Sequence, residues 1–205
     1  MIKPNNYDNT TAAGEFTPIE LGGHILVIKE VLEMTSKTGK PMLKISFDTA
    51  STDKQPNYFM EQYRNDTRQE KKWAANGSTY MMVEDKDGNC SRNFKTFITS
   101  VEKSNKGFDV QWGAGFSACF KEKLVGGVFG IVNDFYENKA IKKRQLRWFR
   151  STEGVNEAEV PNETETTAYK NAFTNTQSSP FGNVPTDANG FMDIPEGIDE
   201  ELPFN

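Results

Sequence analysis

Between residues 22 and 49 apolar and polar side chains alternate in two runs separated by turn residues. His24 to Met34 (HILVIKEVLEM) is rich in Ile, Val and Leu, TSKTGKP supplies the turn, and MLKISFDT resumes strict alternation. This pattern predicts a long β-hairpin. Leu43, Ile45 and Phe47 fall on one face of its second strand, and Met42, Lys44, Ser46 and Asp48 on the other, as in a sheet with one buried and one solvated face. Thr79 to Glu84 predicts a short third strand, closed by a turn at Asp85 to Gly88. The period then changes: Phe94, Phe97, Ile98 and Val101 recur at helical spacing, with Ser91 as the N-cap and Gly107 as the stop. After a glycine-rich linker with Trp112 and Phe116, VGGVFGIVNDFY (125–136) predicts a fourth strand. KAIKKRQLRWF (139–149) predicts its hairpin partner across Glu137-Asn138.

Three strands, a helix and two further strands, with glycines where a small barrel must bend, is the order of an OB-fold. That is a five-stranded Greek-key barrel whose face and loops commonly bind oligonucleotides or oligosaccharides. The expected architecture is therefore mainly β: a flexible arm over 1–17 with room for a strand near Phe16, a barrel with one inserted helix over 18–150, and a disordered acidic tail over 151–205. Residues 50–78 read as a long polar connection with Tyr58, Phe59, Tyr63 and Trp73 set among basic residues.

Charge sharpens this division. The whole chain is acidic, with a formal net charge of -5, but residues 1–150 carry 23 Lys and Arg against 18 Asp and Glu, a net of +5. Residues 151–205 carry Lys170 against 11 acids, a net of -10. A basic body with an acidic appendage points to a body that meets nucleic acid and a tail that meets other proteins. The tail's Glu, Asn, Thr, Ser and Pro bury too little apolar surface to offset their ordering entropy.

Candidate chemistry is sparse. Cys90 and Cys119 stand far apart without a CxxC spacing, and His24 is the single histidine, so neither a zinc site nor a Cys/His nucleophile is expected. GGVFG (126–130) lacks the Lys-Ser/Thr of a phosphate loop, and the acids after Asp85 lack the closing Glu of a calcium loop, Thr96 standing in its place. Paired carboxylates with metal-ligand spacing are not found in the body. No enzyme activity and no cofactor are expected. Without an apolar leader at the N-terminus or a membrane-length apolar run, the expected location is the cytoplasm, away from membranes.

The last residues, IDEELPFN, set three acids before a small apolar anchor. Asp199, Glu200, Glu201, Leu202, Pro203 and Phe204 resemble the acidic tip of bacterial and phage single-stranded DNA-binding proteins, a run of Asp ending in an apolar-Pro-Phe group. In that family the terminal Phe carries the chain carboxylate; here Asn205 displaces it by one residue. The body resembles the phage-type OB-fold members through Gly22, SKTGKPMLKISF and the basic strand around Trp148. The resemblance implies sequence-independent binding and protection of single-stranded DNA during replication or recombination, in the host cytoplasm for a phage-encoded member. It also implies recruitment of replication and recombination proteins through the tip, with oligomers permitted.

Such binding needs cations along the phosphates and aromatic faces under the bases. Three groups interleave the two. The first is Lys142, Lys143, Arg144, Arg147 and Trp148, in a stretch, 139–150, with six basic residues and no acid; the alternative is that Trp148 and Leu146 are core residues ringed by solvated cations. The second is Tyr58, Arg64, Lys71, Lys72 and Trp73, some of whose aromatics must be core. The third is Lys37, Lys40 and Lys44, for which an ordinary solubilising surface is the competing reading. The competing function is a protein-interaction adaptor of the replication machinery that does not itself touch DNA.

Overall fold

The computed structural model describes residues 2–5, 7 and 17–174; the strand expected near Phe16 and the tip residues Asp199 to Phe204 lie outside the described residues. Strands β1 (Gly22–Thr35), β2 (Pro41–Thr49), β3 (Ser78–Met82), β4 (Leu124–Tyr136) and β5 (Lys139–Arg150) form one sheet in the order β3-β2-β1-β4-β5, antiparallel at every step. All five strands stand where the alternation places them. At the β4–β5 turn Glu137 and Asn138 both have positive φ, 49° and 62°, as a two-residue hairpin requires. β3 and β5 end the path, and among the described residues no ladder joins them, so the sheet is open rather than a closed barrel.

Helix α2 (Arg92–Ser104) follows β3 and packs against both β3 and β5. Its expected cap is present: Ser91 Oγ accepts from the Phe94 N–H at 3.2 Å and donates to the Met82 carbonyl at 2.7 Å. Phe94, Phe97, Ile98 and Val101 are buried in the concave side of the sheet with Phe47, Phe59, Phe120, Phe129 and Phe149. The rings meet mainly edge-on or tilted, with Phe97 and Phe149 centroids 4.9 Å apart and Phe47 and Phe59 5.8 Å apart.

Three further helices correct the expectation of one. α1 (Tyr58–Asn65) lies in the supposed connection and α3 (Phe116–Cys119) in the glycine-rich linker. α1 has no local N-cap side chain. Its first N–H groups are satisfied from the end of β2, Tyr58 N–H by Thr49 Oγ1 at 2.9 Å and Phe59 N–H by Asp48 Oδ1 at 2.8 Å. A cap delivered from ten residues away leaves no mark in the local pattern. The same bond explains why Asp48 is buried instead of solvated; burial pushes its carboxyl up, against hydrogen bonds from the Phe59, Thr49 and Met60 N–H groups.

The boundary expected at residue 150 is also corrected, because residues 151–174 pack on the body. Gly23 and Gly126 leave the face opposite the core flat: a Cβ at Gly23 would sit 1.6 Å from the Val155 carbonyl oxygen, and one at Gly126 2.5 Å from that of Ser151. Val155 is buried in that space at 1% exposure. The chain then adds β6 (Thr164–Glu165), parallel to β4, and α4 (Thr167–Thr174), whose Phe173 ring meets Phe135 edge-on at 5.9 Å. Polar composition hides this strap, because its contacts are made by main chain on glycine, by the single buried Val155, by isolated aromatics and by polar side chains such as Glu163 and Thr166. Among the described residues no helix is long and apolar enough to cross a membrane.

Candidate nucleic-acid interface

Alternation on β2 buries Leu43, Ile45 and Phe47 and turns Met42 and Lys44 to the opposite face. Register then places Leu32, Lys44 and Tyr80 abreast on β1, β2 and β3, and Met34, Met42 and Met82 abreast one pair further along. Tyr80 is 60% exposed, Leu32 41% and Met34 40%. An apolar, aromatic face with a lysine in its middle is thus open to solvent. The Lys37 and Lys40 turn borders it. Lys37 is exposed, and Lys40 Nζ donates to the Asp85 carbonyl at 2.6 Å.

At the β3 edge this face runs into a groove of about 560 Å³ between β3 and β5, lined by Tyr80 and Met82 on one side and Trp148 on the other. Lys40, Glu84 and Lys86 also line it, and the first turns of α2 add polar side chains. Trp148 lies opposite Val128, next to an irregularity in the β4–β5 register, and is 45% exposed. It is therefore not a core residue, whereas Leu146 packs against the core. Two exposed aromatics from the two ends of the strand path meet in one concavity.

Four of the six basic residues of 139–150 are engaged within the chain. Lys142 pairs with Glu163 at 2.9 Å, Lys143 pairs with Asp134 at 2.6 Å, Arg144 donates to the Ile19 carbonyl, and Arg147 donates to the Thr164 hydroxyl. The Lys143 bond, with those from Thr166 and the Phe135 N–H, holds the Asp134 carboxyl at about 2, and Lys142 with Asn133 lowers that of Glu163. Of these four cations Arg147 alone lines the groove.

The connection group divides. Tyr58 cannot present a stacking face, since it is only 8% exposed and lies edge-on to Phe59 at 5.0 Å in the core. Trp73 is half-buried, its indole N–H donating to the Gly77 carbonyl at 3.0 Å and its ring tilted on Phe59. Arg64, Lys71 and Lys72 are exposed, but none of them lines the groove. Lys71 donates to the Arg64 carbonyl at 2.7 Å, while Arg68 grips Asp66 and holds that carboxyl well below its usual range.

Leu32, Met34, Tyr80, Met82 and Lys86 go unselected in the sequence. The outward placement of Met42 and Lys44 carries the signal for Tyr80 and Met82, but only once the β2–β3 register is known. His24 serves structure: fully buried, its Nδ1 lies 2.8 Å from Asp53 Oδ1 and its Nε2 3.1 Å from the Glu20 carbonyl. Burial pushes Asp53 up, yet bonds from His24 and from the Gln55 and Ile25 N–H groups prevail and hold it below its ordinary value. Among the described residues no group of three His, Cys, Asp or Glu could hold a metal ion. Compared with protein families and with curated proteins, the chain matches none.

Proposed function

We propose that the chain binds single-stranded DNA, without a required sequence, across the open face of β1, β2 and β3 and into the groove between β3 and β5. The observation that carries this reading is the pair of exposed aromatics, Tyr80 and Trp148, lining one groove with Lys40 and Lys86 beside them and Lys44 abreast of Tyr80. A single strand needs stacking platforms beneath its bases and cations along its phosphates, each stacked base contributing about 1 to 3 kcal/mol. Duplex DNA presents no free base faces and gains only the phosphate contacts.

The strand order, with α2 between β3 and β4, fits an OB-type Greek key left open between β3 and β5, and in that fold strands 2 and 3 carry the oligonucleotide face. The resemblance of IDEELPFN to the tip of single-stranded DNA-binding proteins supports the same reading and extends it. Asp199, Glu200 and Glu201 would steer replication or recombination proteins toward an anchor made of Leu202, Pro203 and Phe204. The role that follows is coating and protection of single strands, with partner recruitment at the C-terminus.

Fluorescence anisotropy of a labelled mixed-sequence oligonucleotide with the full chain, over a salt series and with duplex as competitor, tests the proposal. Salt-sensitive binding that duplex fails to displace is the expected result. Absence of binding at low salt makes the protein-interaction adaptor the better account.

A further inference from the structure

The groove holds one group that a purely sequence-blind site has no use for. Glu84 lines it together with Tyr80, Trp148 and Asp85, and the Glu84 carboxylate takes no hydrogen-bond or ion-pair partner among the described residues. Its backbone is fixed on both sides. Val83 N–H donates to the Pro41 carbonyl at 3.1 Å, Ser91 N–H donates to that of Val83 at 2.8 Å, and Glu84 itself is bridged to Cys90. The neighbouring acid is spent differently: Asp85 Oδ1 accepts from the Asp87 and Asn89 N–H groups, both at 2.9 Å, and closes the turn. Glu84 is thus half-buried in the same groove as Tyr80 and Trp148, on a fixed stretch of backbone and with its carboxylate unpaired.

We infer that this groove takes a single nucleobase and favours one that carries an exocyclic amino group, cytosine or adenine, over uracil or thymine. The inference rests on the single-stranded DNA reading and concerns the base that enters the groove. A carboxylate accepts hydrogen bonds and offers none, so it repels a phosphate and welcomes an amino group. It is the acceptor that matches the N4 amino group of cytosine. Uracil and thymine present carbonyl oxygens at O4 and O2, and their N3–H lies between the two, so a carboxylate that approaches it meets both lone-pair sets. Phosphates are left to the lysines that border the site, Lys40, Lys44 and Lys86. The rest of the strand lies on Tyr80 and the Leu32 and Met34 face, where every base has a ring face to offer and none is preferred.

The test uses the full chain and oligo-dC and oligo-dU of equal length, competed against a labelled mixed-sequence strand at mildly alkaline pH; oligo-dT controls for the methyl group. Oligo-dC is expected to bind about fivefold more tightly than oligo-dU, the scale of one charge-assisted hydrogen bond in a partly open site. Glu84→Gln keeps the shape but replaces the charged acceptor by an amide that also donates, so it should bring the ratio to about one by weakening oligo-dC and strengthening oligo-dU. Thermal unfolding of Glu84→Gln, unchanged, shows that the fold is intact. Equal or tighter binding of oligo-dU, or a ratio that Glu84→Gln leaves in place, overturns the preference while single-strand binding stands. Failure to bind any oligonucleotide overturns the single-strand reading and this inference with it.

Discussion

The face of β1, β2 and β3 and the β4–β5 hairpin belong to one sheet, yet they spend their solvent-reaching residues in opposite ways. On the hairpin Lys142, Lys143, Arg144 and Arg147 meet Glu163, Asp134, the Ile19 carbonyl and Thr164. On the face Leu32, Met34 and Tyr80 remain uncovered, with Lys44 among them. The hairpin is the more basic of the two by composition and the less available by structure. A cluster of cations marks a nucleic-acid surface only where no part of the same chain has already supplied its counter-charges. Here Asp134 of β4 and Glu163 of the strap supply them to Lys143 and Lys142, while Arg144 and Arg147 donate to the neutral oxygens of Ile19 and Thr164.

The sharpest way to separate the two regions is to remove the stacking faces. Tyr80→Ala with Trp148→Ala should weaken single-strand binding by at least about thirtyfold, two stacks at the low end of their usual worth, with the fold retained because neither ring belongs to the buried core. Gly23→Ala should act in the opposite sense. Its Cβ meets the Val155 carbonyl oxygen, so denaturant unfolding should show a loss of about 1 to 3 kcal/mol. Oligonucleotide affinity should hold within about twofold, since the open face is untouched.

Single cations should give smaller and unequal effects. Lys44→Ala should lower affinity alike for all sequences and reduce the salt slope by about one. Lys142→Ala should change affinity by less than about twofold, because Lys142 does not line the groove and Glu163 offsets its charge where it stands. A tenfold loss at Lys142, judged against the handful of phosphate contacts such sites make, would move the contact surface to the hairpin and break the comparison.

The mildest perturbation is acid. Asp134 titrates at about 2 in the fold against 3.8 ordinarily, so the folded state keeps it charged after the unfolded chain takes up its proton. Its contribution is therefore complete above about pH 4 and lost as pH falls toward 2. Acid unfolding of Asp134→Asn should be flatter across that window than that of the parent chain.

Strands and α2 are legible in the sequence because their signals are local: alternation around Leu43, Ile45 and Phe47, and the Ser91 cap ahead of Phe94. α1 is not, since its cap arrives from Asp48 and Thr49, and the strap is not, since glycines on other strands make its seat. Among the candidate contacts, Arg147, Trp148, Lys37, Lys40 and Lys44 stand at the open face or groove. Tyr58 and Trp73 belong to the core and its margin because both rings meet Phe59, which itself packs on Phe47 of β2, a contact that only the folded sheet provides. Tyr80 required a register, which no single strand carries.

Photochemical cross-linking of a single-stranded oligonucleotide to the full chain, with the adducts mapped to peptides, bears most directly on the claim that the open face and its groove are the binding surface. Adducts on the peptides holding Tyr80 and Trp148 are the predicted result; adducts confined to residues 139–145, or to the connection around Arg64 and Lys72, contradict it.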